Sequence, residues 1–337
     1  MDVVKLGAVG CGRQATRNIQ ASIPHIPEFE FIATCDLRSD LAERNARNFG
    51  ARRSYTDARE MFEREELDAV IIVGPPELHA SVGREAAAAG LYVFTEKPIA
   101  STPDDAAALV TAIEDAGVFG QVGHMSRHAD AVRIAREIVD GDAFGPVTFV
   151  ESKYHTPGPY EPTGVIPTAF RTYNLYQTTH AIDLARHFGG DVARLTAARG
   201  EGRDEAFALT LMLEFAGGAV GWVNVNSCVP AMESRLEVTG ANREFVGVDN
   251  LTELRYVPAD AWHGGESAYR AIAASSWRPG PLTTGHSRPG YSNQLSHFAR
   301  SVLDGVQPFP STRDGYEAVR LCFAIEDSLD RGAWVDV

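Results

Sequence analysis

Hydrophobic residues in the first third of the chain occur in short continuous runs that are separated by stretches of helical spacing. The runs VVKLGAV, EFIATC, AVIIV, LYVFT and VFGQV predict strands at 3–9, 30–35, 69–73, 91–95 and 118–122, with a weak strand near 52–55. The stretches between them predict helices at 13–22, 39–49, 57–64, 77–89 and 103–116. Strands that are apolar on both faces and alternate with helices are typical of a parallel sheet covered on both sides. We therefore predict an α/β fold that begins with a doubly wound domain over residues 1–123.

The pattern changes after a predicted helix at about 128–140. Strands are predicted at GPVTFVESKY, VARLTAARG, EAFALTLMLEF, GAVGWVNVNS, SRLEVTG, REFVGVD and TELRYVP. Most of them are joined by short turns, which favours a large and mostly antiparallel sheet. A helix at 178–188, a long irregular loop over 258–290, and closing helices near 292–304 and 312–331 complete the prediction. Residues 124–337 are thus expected to form an α+β domain.

The composition of the chain limits the kinds of molecule that it is expected to bind. The chain has 337 residues, of which 44% are hydrophobic, and a formal net charge of −14, which argues against nucleic acid and anionic membrane surfaces as partners. No apolar run approaches the length of about 18 residues that a membrane span needs, and no leader segment is evident, so we expect a cytoplasmic protein. The four cysteines lack metal-ligand or disulfide-framework spacing, so we expect reduced thiols.

A glycine-rich loop links the first strand to the first helix in VKLGAVGCGRQATRNI. Gly10 permits a tight turn, Gly12 lets a pyrophosphate approach the backbone, and Ala15 lets helix and strand pack closely. Asp36 ends the next strand about 20 residues later, where a carboxylate accepts hydrogen bonds from a ribose 2′-hydroxyl. Arg38 follows and is able to pair with a 2′-phosphate instead. We expect NAD as the cofactor, with NADP possible.

The segment YVFTEKPIAS places Lys97 at the carboxyl end of a predicted buried strand, directly before Pro98. The preceding strand ends similarly in VGPPELHA. Ligands bind beyond the carboxyl ends of strands in an open parallel sheet, so both segments are expected to line the crevice of the glycine loop. The alternative is that Lys97 is an ordinary solvated residue at a strand end.

These segments give the chain a resemblance to the Gfo/Idh/MocA family of nicotinamide-dependent sugar and cyclitol oxidoreductases. The matching pieces are GAVGCGRQA, CDLR, DAVIIVGPPELH, EKPIA, VGHMSRH, THAIDLARHFGG and the closing segment from QLSHF to WVDV, which together span nearly the whole chain. The resemblance implies an N-terminal Rossmann domain, and a second domain whose open sheet forms the contact of a homodimer or homotetramer. It also implies that Lys97 binds the reacting oxygen and shuttles its proton, and that the Lys97–Pro98 peptide bond is cis. Burial of Lys97 in a dry cleft would move its pKa down from about 10.4 toward the working pH.

The expected cofactor-binding residues come from the glycine loop, from the strand ends and from the resemblance. They are Gly10, Gly12, Arg13, Gln14, Asp36, Leu37, Arg38, Gly74, Pro75, Pro76, His79, Glu96, Lys97 and Met125. Lys97 therefore appears both as a cofactor contact and as a catalytic group.

The second domain departs from the family pattern. His180 matches the family's catalytic histidine, but Tyr176 stands four residues before it where many members have Asp. The expected substrate-binding residues are Lys97, Arg127, Tyr154, Phe170, Arg171, Asn174, Tyr176, Gln177 and His180, and for each aromatic residue an ordinary core position is the alternative. His180, Asp183 and His187 share one helix face, but we expect Asp183 to be structural and predict no metal.

The main hypothesis is an enzyme that transfers hydride between NAD(P) and a secondary hydroxyl or keto carbon of a sugar, cyclitol or related polyol. Lys97, His180 and the nicotinamide ring are expected to meet in one pocket. An alternative is a lyase, epimerase or glycoside-cleaving enzyme that holds NAD tightly and oxidises its substrate only transiently. A second alternative is a non-catalytic regulatory protein that binds the cofactor.

Overall fold

The apolar runs of the first third form a six-stranded parallel sheet. The computed structural model of the protein describes residues 3–158, 160–259, 274–280 and 289–337. The strands are β1 Val4–Val9, β2 Phe29–Cys35, β3 Arg53–Tyr55, β4 Ala69–Ile72, β5 Tyr92–Thr95 and β6 Gly120–Val122. Their order is β3-β2-β1-β4-β5-β6, so the direction of winding reverses between β1 and β4. The predicted doubly wound sheet is confirmed, and its ligand crevice is expected beyond the carboxyl ends of β1 and β4.

Helices with clear end signals connect these strands. They are α1 Ser39–Phe49, α2 Ala58–Arg64, α3 Pro76–Ala88 and α4 Pro103–Asp115. The Asp57 and Thr102 side chains cap α2 and α4, and Gly50 ends α1 in the left-handed conformation. The predicted helix at 13–22 is instead a π-helical turn, Ala15–Ile19, followed by a 3₁₀ helix, Gln20–His25. Pro24 lies inside the second segment, and a proline cannot donate the hydrogen bond that would continue an α-helix.

The first compact unit of the chain is discontinuous. It comprises Met1–Met125 and Gly290–Val319, whereas the sequence-based division placed all residues after 123 in the second domain. The reason is α8, Tyr291–Asp304, which buries Leu295, Phe298, Ala299 and Val302 in the core formed with β1, β2 and the first helical segments. Phe298 also lies edge-on to Phe94 of β5, with ring centroids 5.8 Å apart.

The second unit comprises Ser126–Pro289 and Arg320–Val337. Its strands are β7 Val147–His155, β8 Val192–Glu201, β9 Phe207–Phe215, β10 Val220–Asn226, β11 Glu233–Gly240, β12 Phe245–Asp249, β13 Glu253–Val257, β14 Ser275–Trp277 and β15 Val335–Asp336. Their order is β14-β13-β12-β11-β7-β10-β9-β8-β15, with β7 and β10 parallel and the other described pairs antiparallel. The predicted, mostly antiparallel sheet is confirmed. Its helices are α5 Asp130–Val139, α6 Ala169–Tyr173 and α7 Thr179–Gly189. The last helix, α9, spans Thr312–Arg331, and its residues from Arg320 onward belong to this unit.

One face of this sheet is buried and the other is open. Along β9, Phe207, Leu209, Leu211, Leu213 and Phe215 are buried, and the residues between them are half-buried or exposed. The helix α7 packs on the sheet at β7 and β10. Within the predicted loop over 258–290 the structure shows the short strand β14, and residues 260–273 and 281–288 of that loop lie outside the described residues. None of the helices in the described part of the chain combines the length and hydrophobicity that crossing a bilayer requires.

Gly10→Ala tests the tight turn after β1. Gly10 has φ +94°, and a Cβ atom there would lie 1.8 Å from the carbonyl oxygen of Val73, so we expect a loss of at least about 3 kcal/mol in the free energy of unfolding. Gly50→Ala is the matched control, since Gly50 has φ +84° with no atom within 4 Å of the added Cβ. That control should lose only the conformational cost of about 1–2 kcal/mol. Urea unfolding measures both, and equal losses would contradict the steric argument.

Candidate active site

The glycine loop lies where β1, β2 and β4 end. The Gly10 N–H donates to the Cys35 carbonyl at 2.8 Å, and the Val73 carbonyl fills the space that a side chain at Gly10 would need. Gly12 is exposed, and a Cβ atom built there would meet nothing within 4 Å. The loop is therefore closed on the strand side at Gly10 and open to a ligand at Gly12.

Asp36 is held at the end of β2 by two backbone N–H groups. Its carboxylate accepts a hydrogen bond from Cys11 N–H at 2.7 Å and another from Arg38 N–H at 3.0 Å. The Arg38 guanidinium pairs with Asp40 at 2.8 Å, and Leu37 is 89% exposed. Asp36 thus offers its remaining lone pairs to a ligand from a fixed position, while the charge of Arg38 is directed at Asp40.

His79 connects the ends of β4 and β5. One ring nitrogen accepts a hydrogen bond from Gly74 N–H at 2.9 Å, and the other lies 2.7 Å from the Pro98 carbonyl oxygen. Burial lowers the pKa of His79 to about 4, so the ring is neutral at pH 7 and donates from Nδ1 to the carbonyl. Pro75 and Pro76 open α3 just before it. The histidine therefore fixes the segment that carries Lys97 against the loop after β4.

Lys97 follows β5 and is partly buried, and the Lys97–Pro98 peptide bond is cis, as the resemblance implied. Burial lowers the pKa of Lys97 to about 8, and the nearby Glu96 opposes this shift. Glu96 is 4% exposed, and burial raises the pKa of its carboxyl to about 7 despite the favourable charge of Lys97. Both groups are thus placed to exchange protons near neutral pH.

Tyr291, which the sequence analysis did not identify, lies beside these residues. Its hydroxyl accepts a hydrogen bond from Gln14 Nε2 at 3.3 Å, and burial together with the charge of Glu96 raises its pKa to about 12. Tyr291 is the first residue of α8, far along the chain from the loops it contacts, so local sequence gave no signal. Met125, just beyond β6, is 5% exposed, and Arg13 is exposed.

In the second unit, His180 lies in the first turn of α7, directly after a π-helical turn at Asn174–Thr178. His180 is 4% exposed, and its ring stacks on Tyr154 of β7 with centroids 4.9 Å apart and an interplanar angle of 26°. This places two of the expected substrate residues in contact with each other.

Arg127 and Asp183 form a buried ion pair in the second unit. The guanidinium donates to the carboxylate at 2.6, 2.9 and 3.1 Å, and the two side chains are 7% and 1% exposed. Asp183 lies one turn beyond His180 on α7. The carboxylate that the sequence analysis considered beside His180 is therefore bound to Arg127.

Other expected substrate residues also have partners inside the second unit. Arg171 forms a bidentate pair with Glu326, with Nε 3.0 Å from Oε1 and the terminal nitrogen 2.6 Å from Oε2, and Asn174 donates to the Cys322 carbonyl at 2.7 Å. Phe170 packs edge-on against Phe207, with centroids 4.9 Å apart.

Two neighbouring positions are more open. Gln177 Nε2 donates to Tyr160 Oη at 2.6 Å, and both Tyr176 and Gln177 are partly exposed. Tyr176 stands at the position where many family members have Asp, and Gln177 directly follows it.

Comparison with known proteins identifies both units. A family model described as an oxidoreductase family with an NAD-binding Rossmann fold matches residues 4–124, and a GFO/IDH/MocA C-terminal domain matches residues 132–246. The chain is 29% identical to D-apiose dehydrogenase of Paraburkholderia graminis, over 98% of this chain and 88% of that protein. It is 26% identical to scyllo-inositol 2-dehydrogenase (NAD(+)) of Bacillus subtilis, over 98% and 95%. A solved dehydrogenase structure from Chromobacterium violaceum has a TM-score of 0.90 at 25% identity, over 98% and 97%.

Asp183→Ala tests the buried ion pair. The substitution leaves the Arg127 guanidinium buried without its carboxylate, and we expect a loss of about 3–5 kcal/mol in the free energy of unfolding. Asp249→Ala, which breaks the exposed Arg235–Asp249 pair, is the control and should cost less than about 1 kcal/mol. The double variant Arg127→Met/Asp183→Leu should regain much of the loss. Similar stabilities for the two single variants in urea unfolding would contradict this account.

Proposed function

The chain belongs to the Gfo/Idh/MocA family of oxidoreductases, and we propose that it transfers hydride between NAD and a secondary hydroxyl or keto carbon of a sugar, cyclitol or related polyol. Membership confirms the prediction of a nicotinamide-dependent oxidoreductase whose first unit is an NAD-binding Rossmann domain. The identity of the substrate is our inference.

The observation that carries the proposal is the position and pKa of Lys97. Removing hydride from a secondary alcohol requires that its hydroxyl proton be accepted as well, because a bound nicotinamide would take only the hydride. An amine with a pKa of about 8 at the carboxyl end of β5 is suited to accept that proton near neutral pH. The hydrogen bond between His79 and the Pro98 carbonyl holds the backbone that carries it.

We also propose roles for the other expected site residues in binding the cofactor, transferring protons and binding the substrate. The cofactor is held by the glycine loop, by Asp36 with Leu37, and by the segments Gly74–His79 and Glu96–Lys97. In the second unit His180 serves as a second acid–base group, with Tyr154 fixing the plane of its ring. Gln177 and Tyr176 hydrogen-bond substrate hydroxyls.

Arg127, Arg171, Asn174 and Phe170 are assigned supporting roles in the second unit. This assignment is supported by the partners that already engage their side chains there.

The proposed substrate class is supported by the relatives. The Bacillus subtilis and Paraburkholderia graminis proteins are named for oxidation of a cyclitol and of a sugar. Amide and phenol groups at Gln177 and Tyr176 donate to and accept from hydroxyls and carry no charge at neutral pH, which suits a neutral polyol.

NAD is proposed as the preferred cofactor over NADP. Asp36 would repel a 2′-phosphate, and the Arg38 side chain, which would otherwise balance that charge, is paired with Asp40.

The direct experiment follows absorbance of reduced nicotinamide while a panel of sugars and cyclitols is added with NAD or NADP. A net increase with at least one polyol, larger with NAD, supports the proposal. Product formation without net reduction, with NAD co-purifying, would favour the lyase or epimerase alternative. Cofactor binding with no turnover on the whole panel would favour a regulatory protein.

Lys97→Met and the pH profile test the role of the amine. Because Lys97 must be neutral to accept a proton, kcat/KM for oxidation should rise with pH and level off above the pKa of about 8. Lys97→Met should lower kcat by about 10²–10⁴-fold and still bind NADH. His180→Asn serves as the comparison. It should lower turnover, but its kcat/KM should still rise with pH and level off above about 8, because that rise is assigned to Lys97. Near-normal turnover of Lys97→Met would refute the assignment.

We also propose that the protein is a cytoplasmic homo-oligomer that associates through the open face of the second-unit sheet. Trp222, Met212 and Val220 lie on that face, with Trp222 and Met212 opposite each other on β10 and β9, and are 39%, 57% and 48% exposed. An apolar cluster of this kind on a sheet is typical of an interface. The four free cysteines support a reducing compartment.

Trp222→Glu tests this face. Wild-type protein should elute as a dimer or tetramer in size-exclusion chromatography with light scattering, and the variant should shift to a smaller species, because a charge would be buried at the contact. Val306→Glu is the control, since Val306 is 52% exposed in the first unit. An unchanged mass for Trp222→Glu, or a monomeric wild type, would overturn the proposal.

A further inference from the structure

Two carbonyl groups of the glycine loop, those of Gly10 and Cys11, accept hydrogen bonds from side chains of the first unit. The Gly10 carbonyl accepts a hydrogen bond from Gln20 Nε2 at 2.9 Å. The Cys11 carbonyl accepts one from an Arg44 NH2 group at 2.8 Å and another from Thr16 Oγ1 at 3.1 Å. None of Gln20, Thr16 and Arg44 belongs to the cofactor set named above.

Holding these carbonyls determines where the next N–H groups point. A trans peptide is planar, so its N–H points opposite to its C=O. In the Gly10–Cys11 peptide the N–H accordingly meets the Asp36 carboxylate at 2.7 Å. In the Cys11–Gly12 peptide Arg44 and Thr16 hold the oxygen, and the Gly12 N–H forms no hydrogen bond with any residue that the structure describes. The Gly12 N–H is thus directed away from α1, toward the open side of the loop.

A buried polar network fixes the orientation of Arg44. Asn45 and Gln20 are both fully buried, and Asn45 Nδ2 donates to Gln20 Oε1 at 2.8 Å. Asn45 Oδ1 accepts from Arg44 Nε at 3.1 Å and from the same Arg44 NH2 group at 2.9 Å. Thr16 Oγ1 joins the network through Asn45 and Arg44. Buried networks whose donors and acceptors are paired restrict their members to one arrangement.

Arg44 also adds positive charge beside the glycine loop, although the chain as a whole is acidic. With Arg13 and Arg17 it lines an open cleft of about 320 Å³ next to Gly12, in a chain of net charge −14. Neither Arg13 nor Arg17 forms an ion pair within the described residues, whereas most other arginines there are paired with carboxylates. Uncompensated guanidinium groups attract a diphosphate.

We propose that Arg44 is a positioning residue for the cofactor: it holds the Cys11 carbonyl so that the Gly12 N–H faces the diphosphate, and thereby sets the affinity for nicotinamide dinucleotides. The inference rests on the proposed function only in that the first unit binds this cofactor. Arg44 itself need not touch the diphosphate, because the loop transmits its effect.

The test compares Arg44→Met, Arg44→Lys and a control, Arg47→Met, by titrating NADH and ADP-ribose and following fluorescence or calorimetric signals. Arg47 lies on the same helix, is exposed and pairs with Glu43 at 3.7 Å. Arg44→Met should raise Kd for both ligands by about tenfold or more, the cost of losing hydrogen bonds to a charged donor. The effect should fall on KM for NAD far more than on kcat. Arg47→Met should bind like the wild type.

Arg44→Lys distinguishes the effect of the guanidinium hydrogen bonds from the effect of the positive charge. It also provides the test if Arg44→Met does not fold. Lysine keeps the charge but lacks the planar fork that reaches Cys11 and Asn45 together, so it should bind nearly as weakly as Arg44→Met. Wild-type affinity in Arg44→Lys, or a change of less than about twofold in Arg44→Met, would overturn the inference. Failure of the wild-type protein to bind NADH would instead refute the cofactor assignment, so the two failures are distinguishable.

Discussion

The first unit depends on the close approach of two strand ends at residue 10. The Val73 carbonyl occupies the space of a side chain there, and φ of +94° excludes most residues independently. Because β1 and β4 meet without a side chain between them, the loops after both strands begin at the same level. The His79 clamp extends this arrangement to β5 by linking Gly74 to Pro98. The glycine loop and the lysine are therefore positioned by one continuous set of contacts, in which the His79 side chain joins the two backbone segments.

Burial at this sheet edge changes the chemistry of the groups it holds. It keeps His79 neutral, so the ring acts as a hydrogen-bonding strut, and it lowers the pKa of Lys97 while raising that of Glu96. Desolvation disfavours the charged form of each group, which is why the shifts have opposite signs for the amine and the carboxyl. The same partial exclusion of water thus provides both a rigid support and groups able to exchange protons near neutrality.

The sequence predicted what local patterns and short motifs determine. Each strand of the parallel sheet, the weak one at Arg53–Tyr55 included, was found from apolar runs and turn residues, and the EKP segment pointed to Lys97. Local patterns did not reveal that α8 packs into the first unit or that Tyr291 reaches Gln14, because these contacts join residues far apart in the chain. They also missed the π-helical turns at 15–19 and 174–178. The expected meeting of Lys97, His180 and the nicotinamide ring stays a prediction.

In the second unit, Tyr176 stands where the family motif has Asp. This difference changes which of the proposed catalytic groups is expected to accept the proton. A carboxylate four residues before His180 would have shared the histidine's proton or bound a substrate hydroxyl, and here Tyr176 and Gln177 stand at that turn. The acid that α7 does carry near His180 is Asp183, and its charge is balanced by Arg127 through three hydrogen bonds. A balanced pair contributes little field to its surroundings compared with a lone carboxylate. We therefore propose that proton acceptance during oxidation falls chiefly to Lys97, which is the group whose pKa the fold has lowered to about 8.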